Sequence, residues 1–227
     1  VKFSLSNDIK SDRITYGHRF LSEGKIKIKN AREYSEKLKD NYVIVDPEAR
    51  KIMINKGIEK IENQTGGKVE KDEDLMDEVI HLVEYPTPFC GEFEERFLKL
   101  PDPVLVTPTK EHQRYFPVRD QQGELISKFV GVRDGGKKHL DTVKEGNEKV
   151  LKARLADAEF YYEKDLKETM KERIDKLQGI VFREELGTMQ DKVKRIKKIV
   201  SWTGTKLDIE KDTLSEAKRA ADLAKGD

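Results

Sequence analysis

Three short stretches set basic side chains beside rings and amides, the combination that grips a phosphate backbone and stacks on an unpaired base. In TKEHQRYF, residues 109–116, Lys110, His112, Gln113, Arg114 and Tyr115 stand side by side. In DRITYGHRF, residues 12–20, the candidates are Arg13, His18 and Arg19. In DKVKRIKK, residues 191–198, five basic residues accompany one acidic residue, and Lys192, Lys194 and Arg195 open an amphipathic pattern suited to backbone contact. The first two stretches have an equally good structural use, tying strands together, and a solvated helix face accounts for the third.

A second kind of chemistry needs a charged pair. Arg154 and Asp157 lie three residues apart in GNEKVLKARLADAEFYYEKDL, residues 146–166, where helical periodicity sets them within the arc of Val150, Leu151, Leu155, Ala158, Tyr161 and Tyr162. A charge buried alone costs several kcal/mol, so the spacing predicts a structural ion pair rather than a catalytic acid and base. Other motifs carry less. GVRDGGK, residues 131–137, has the spacing of a phosphate-binding loop, but Lys138 stands where a Ser or Thr would hold magnesium. The four histidines, His18, His81, His112 and His139, lack metal-ligand spacing, so no zinc site is indicated. Cys90 and His112 could pair only through folding, and neither lies in an activated-thiol context. No nucleophile elbow occurs, and no self-contained catalytic centre is legible.

These side chains need elements to position them. Val1–Leu5, Ile14–Leu21 and Lys25–Lys29 have strand character, the first two separated by the turn formers Ser6, Asn7 and Asp8. Asn30 is placed to cap a helix over 31–39, Tyr42–Val45 is a short strand or a buried helix edge, and Pro47 opens a helix closed by Gly66 and Gly67. The next helix carries Leu75, Val79, Leu82 and Val83 on one side and stops at Pro86 and Pro88. Arg114–Arg119 and Glu124–Arg133 flank the turn residues Asp120–Gly123 as a hairpin, with Pro117 arguing for an edge strand. Beyond Asp134-Gly135-Gly136 the pattern is mainly helical, with an IVF strand at 180–182 and two helices opened by capping boxes, Thr188 with Asp191 and Thr213 with Glu216. The fold class is α+β: a mixed sheet region with packed helices over 1–134, then a mainly helical region over 135–227.

Composition bounds the rest. Charged residues make up 39% and hydrophobic residues 36% of 227, yet the net charge is only +1, so contact with nucleic acid or a membrane must come from local patches. A single cysteine excludes an internal disulfide and fits a reducing compartment, and no apolar run approaches the roughly 18 residues of a membrane span. A cytoplasmic location is expected. The absence of an initial Met and an end within a helical pattern suggest a piece of a longer polypeptide.

Five stretches carry a family resemblance: SDRITYGHRF (11–20), DEVIHLVEYP (77–86), EHQRYFPV (111–118), the 146–166 stretch and LGTMQDKVKRI (186–196). In order and wording they resemble the beta subunit of bacterial glycyl-tRNA synthetase, of which this chain is similar to an internal section. RAADLAKGD, residues 219–227, looks like the start of that family's HD-type helical region. The resemblance implies an alpha-beta heterotetramer that joins glycine to its tRNA. ATP and magnesium would be used by the alpha subunit, with no cofactor in this section. Its partners would be the alpha subunit, glycine tRNA and the other beta-subunit domains. The central region of the family is also similar in architecture to the tRNA-editing module of phenylalanyl-tRNA synthetase, though no residue here implies editing. Two rival roles are a purely protein-binding module and a hydrolase, active or relic, acting on mischarged tRNA. The prolines at 101, 103 and 108 depart from the family pattern before EHQRYF.

Overall fold

In the computed structural model, which describes residues 3–4 and 10–226, the chain forms two compact units, Val1–Glu159 and Phe160–Asp227. The turn at Asp134-Gly135-Gly136 lies inside the first. The expected strand at Val1–Leu5 and turn at Ser6–Asp8 fall largely outside the described residues. β1 (Ile14–Thr15) and β2 (Ile26–Lys27) form an antiparallel pair, shorter than the alternating runs around them. After Thr15 the chain leaves the ladder, and the His18 N–H donates to the Asn41 carbonyl at 2.9 Å.

Asn30 acts as the expected cap: its side chain accepts from the Arg32 N–H at 3.0 Å ahead of a 3-10 turn and α1 (Tyr34–Asp40). Tyr42–Val45 is neither strand nor helix, because Tyr42 sits at φ 61° and turns the chain. Asp46 caps α2 (Pro47–Thr65), and Gly66 closes it at φ 72°, the left-handed conformation that a residue without Cβ takes at least cost. β3 (Lys68–Val69) leads to α3 (Glu73–Leu82), capped by Asp72 through the Leu75 N–H at 2.9 Å. The buried side of α3 is Leu75, Met76, Val79 and Ile80, whereas Leu82 is exposed.

The stretch after α3 is a strand, β4 (Pro86–Glu92), which the two prolines had disguised as a helix stop. A proline lacks the ladder N–H, and β4 tolerates two because it is an edge strand. A 3-10 turn (Glu95–Lys99), α4 (Asp102–Thr107) and a π-helical turn (Pro108–His112) then lead into β5 (Phe116–Arg119) and β6 (Leu125–Asp134). The β5–β6 hairpin is as expected: Asp120 accepts from the Gln122 and Glu124 N–H groups at 2.8 and 2.9 Å, and Gly123 sits at φ 90°. Pro117, however, is on an interior strand. The sheet order is β3-β5-β6-β4, all antiparallel, and the register shifts between Pro117 and Arg119 where the missing donor falls.

Side-chain alternation divides this sheet's surroundings into two cores. On one face Phe116, Val118 and Val130 meet Ile54 and Ile61 of α2 and Leu75, Met76, Val79 and Ile80 of α3. On the other, Phe89 and Phe129 meet Phe97, Leu105, Tyr115 and two residues of α5 (Leu140–Leu166), Leu151 and Leu155. Gly131 of β6 faces the Phe89 ring, so the GVRDGGK stretch begins as strand and not as a phosphate loop.

Only Leu151 and Leu155 of α5 are buried; Arg154 and Asp157 are both exposed. No ion pair joins them among the described residues. The core is covered by the stripe from Leu140 through Val143 to Leu151 and Leu155, and residues flanking that stripe meet solvent, so the apolar arc is narrower than the sequence suggested. Val150 and Tyr161, also assigned to the arc, are exposed too.

In the second unit, α6 (Met170–Lys176) precedes the short antiparallel pair β7 (Val181–Arg183) and β8 (Gly187–Thr188), then α7 (Met189–Lys206) and α8 (Lys211–Leu223). Thr188 and Asp191 form the anticipated capping box. Thr213 does not cap: α8 already starts at Lys211, with Thr213 inside its first turn. α7 and α8 pack closely at Gly204, where a Cβ would meet the Leu214 side chain. No helix among the described residues is long and apolar enough to cross a membrane.

Candidate nucleic-acid interface

The 109–116 stretch is largely committed to the protein itself. Lys110 bridges Glu70 at 3.2 Å and Asp72, while Arg119 joins Glu70 at 2.8 Å to Asp102 at 2.7 Å. Burial works against the Lys110 charge, but its bonds to Asp72 and Glu70 outweigh that and raise its pKa. Burial pushes the Glu70 carboxyl up, and the bonds from Arg119 and Lys110 more than offset it, leaving it below its ordinary value. Asp72 is lowered as well, first by the Leu75 N–H and then by Lys110. Arg114, at φ 57°, turns the chain into β5 and pairs with Glu78. His112 is exposed and Gln113 half-buried.

Tyr115 was a candidate for base stacking, and its position rules that out. It is 6% exposed and stacks on Phe129, ring centroids 4.5 Å apart, with its hydroxyl donating to Asn147. Burial raises its phenol pKa to about 12. The ring belongs to the core because the turn at Arg114 aims it at the sheet, something local composition could not reveal.

The 12–20 stretch presents the opposite picture. Tyr16 is 61% and Phe20 82% exposed, and the Arg19 guanidinium lies 5.5 Å from the centre of the Phe20 ring. Arg13 is exposed and donates to the Lys29 carbonyl at 2.8 Å. Neither arginine has an ion-pair partner among the described residues. The aromatic residues Tyr16 and Phe20 were not singled out from sequence; their signal was proximity to Arg13 and Arg19. His18, by contrast, is 2% exposed and cannot touch RNA.

In the second unit, Lys194 pairs with Asp191 at 3.1 Å, Lys192 lies 3.8 Å from the centre of the Phe182 ring, and Arg195 donates to the Leu186 carbonyl at 2.8 Å. On the outer side of α7, exposed Ile199 and Trp202 accompany Lys198 and Lys206, neither ion-paired among the described residues. Trp202 is a third exposed aromatic, after Tyr16 and Phe20, whose only signal in the sequence is its basic neighbours.

His18 instead joins Glu84 and Asp134, the one group among the described residues with side chains disposed to hold a metal ion. Its Nε2 lies 3.4 Å from Asp134 Oδ1 yet lacks hydrogen-bond geometry to any partner. Cys90 lies apart from this group, its thiol pKa raised by burial.

The whole chain, residues 1–227, matches the family model described as glycyl-tRNA synthetase beta subunit. The chain belongs to that family. It is 46% identical over 227 residues to the glycine–tRNA ligase beta subunits of Desulforamulus reducens and Bacillus subtilis, covering 32% and 33% of those proteins. It is 47% identical over 227 residues to that of Oceanobacillus iheyensis, covering 32% of that protein. The chain therefore spans about a third of the length of the beta subunits it matches. Both units lie within the stretch that the family model matches.

Proposed function

We propose that this chain works within a glycine–tRNA ligase as a tRNA-contacting and scaffolding section of the beta subunit. ATP, magnesium and the chemistry of glycine activation then belong to the alpha subunit of a heterotetramer, and this section is not itself catalytic. The observation that carries the RNA contact is the outward side of segment 13–20, where Arg13, Tyr16, Arg19 and Phe20 are exposed around the buried His18. Arg13 and Arg19 offer phosphate contacts, and Tyr16 and Phe20 offer stacking faces. Lys192, Lys194, Arg195 and Lys198 on α7 add sequence-independent backbone attraction, while His112 and Gln113 remain available at the rim of the sheet unit.

The test is tRNA affinity of the assembled enzyme as a function of salt. Arg13→Ala with Arg19→Ala is expected to weaken binding and to reduce the salt slope by about 0.7–0.9 per lost phosphate contact. Phe20→Ala is expected to weaken binding without changing the slope. Unchanged affinity in both variants removes segment 13–20 from the RNA interface.

A protein-binding role has its own support in the exposed Ile199 and Trp202 on α7, an apolar pair better suited to a protein surface than to phosphates. Weakened association with the alpha subunit in Trp202→Ala, at unchanged tRNA affinity, assigns that face to assembly.

A further inference from the structure

The sheet unit contains a feature that neither glycine transfer nor RNA contact uses. His18 is 2% exposed, and its Nε2 is a buried polar atom without a hydrogen-bond partner among the described residues. That nitrogen faces two carboxylates, Asp134 at the end of β6 and Glu84 just ahead of β4, and the three potential ligand atoms lie within 4.8 Å of one another. We propose that His18, Glu84 and Asp134 bind a divalent transition-metal ion of the zinc class, pinning segment 14–22 to the β4–β6 end of the sheet.

Three observations support this. First, the 3.4 Å from His18 Nε2 to Asp134 Oδ1 fails as a hydrogen bond but matches a tetrahedral edge. Ligand atoms about 2.0–2.2 Å from a tetrahedral ion sit about 3.3–3.6 Å from each other. Rotation of the exposed Glu84 side chain closes the remaining spread. Second, the charge is right. Neither carboxylate has a Lys or Arg partner among the described residues, so a dication with a neutral imidazole balances two negative charges. Third, the Asp134 carboxylate is fixed beside His18: its Oδ1 accepts the Glu84 and Tyr85 N–H groups at 2.8 and 2.9 Å, and these bonds set the position of both its oxygens.

The imidazole also specifies the class of ion, since nitrogen ligands suit zinc and its neighbours, and magnesium and calcium take oxygen. Binding requires a tautomer change. The Phe20 N–H donates to His18 Nδ1 at 3.2 Å, so in the neutral ring the proton is on Nε2. On metal binding Nε2 gives up that proton, Nδ1 takes one, and the Phe20 contact is released.

Calorimetric titration of the untagged beta subunit with zinc chloride, repeated with magnesium chloride, tests the proposal. One equivalent of zinc is expected to bind and to raise the melting temperature, with no effect of magnesium. Glu84→Gln leaves an exposed position folded, and Asp134→Asn keeps the oxygen that accepts the two backbone N–H groups. Each is expected to weaken zinc binding at least about tenfold. Absent saturable zinc binding overturns the proposal, as does equal affinity in the wild type and both variants.

Discussion

Leu155 and Asp157 stand two residues apart on α5 and are expected to behave in opposite ways. Leu155 is 0% exposed among Phe97, Leu105, Phe129 and Leu151. Leu155→Ala removes three carbons, about 2.4 kcal/mol at about 0.8 kcal/mol per buried methylene. Phe97 and Phe129 are fully enclosed and cannot collapse into the gap, so a cavity term brings the loss to about 3–4 kcal/mol. At about 2–4 °C per kcal/mol, scanning calorimetry should show the transition of the sheet unit fall by about 6–16 °C. Asp157→Ala removes an exposed, unpartnered carboxylate and is expected to change stability by about 0.5 kcal/mol or less. A loss of about 2 kcal/mol or more from Asp157→Ala would refute the reasoning, because only a carboxylate with a buried partner costs that much.

Three further outcomes follow from the same packing and charges. A Cβ at Gly91 would lie 2.6 Å from Phe129 Cε1, and that ring has nowhere to move, so Gly91→Ala is expected to cost about 1–3 kcal/mol in urea denaturation; a neutral result means the ring is mobile. Glu70 and Asp72 have carboxyl pKa values lowered by folding, so their contribution is complete above the unfolded values of 4.5 and 3.8 and is lost as pH falls through the lowered folded values. Unfolding midpoints are therefore expected to decline below about pH 4.5 and the decline to be shallower in Lys110→Met; identical acid limbs would show that the cluster is not coupled to folding. The Cys90 thiol, its pKa raised by burial, is expected to react with dithiobis(nitrobenzoate) far more slowly in the folded chain than after unfolding, and equal rates contradict its burial.

The features read correctly from sequence are those fixed by neighbours along the chain. Thr188 finds Asp191, Asn30 finds the Arg32 N–H, and Asp120 holds its own turn, because each contact spans at most four residues. Features that depend on the sheet were hidden. Pro86 and Pro88 fit a strand only because β4 lies at the edge, and Pro117 is tolerated inside only because the register shifts beside it. Thr213 looked like a cap, but α8 begins two residues earlier at Lys211. The candidate site follows the same division. Basic and aromatic residues in 12–20 and 109–116 are visible as clusters, but whether a ring faces water is decided by tertiary packing. Tyr115 went into the core and Phe20 stayed outside it. His18, Glu84 and Asp134 share no spacing motif, and the sheet alone brings them together.

Arg13, Tyr16, Arg19 and Phe20, the exposed residues of segment 13–20, are proposed to touch tRNA within the assembled enzyme. Hydrogen exchange of that enzyme, with and without glycine tRNA, tests this contact most directly. Slower exchange of the amides in 14–22 on adding tRNA is the predicted result. Exchange that is unchanged by tRNA but slowed on assembly with the alpha subunit would contradict the account and assign the segment to protein contact.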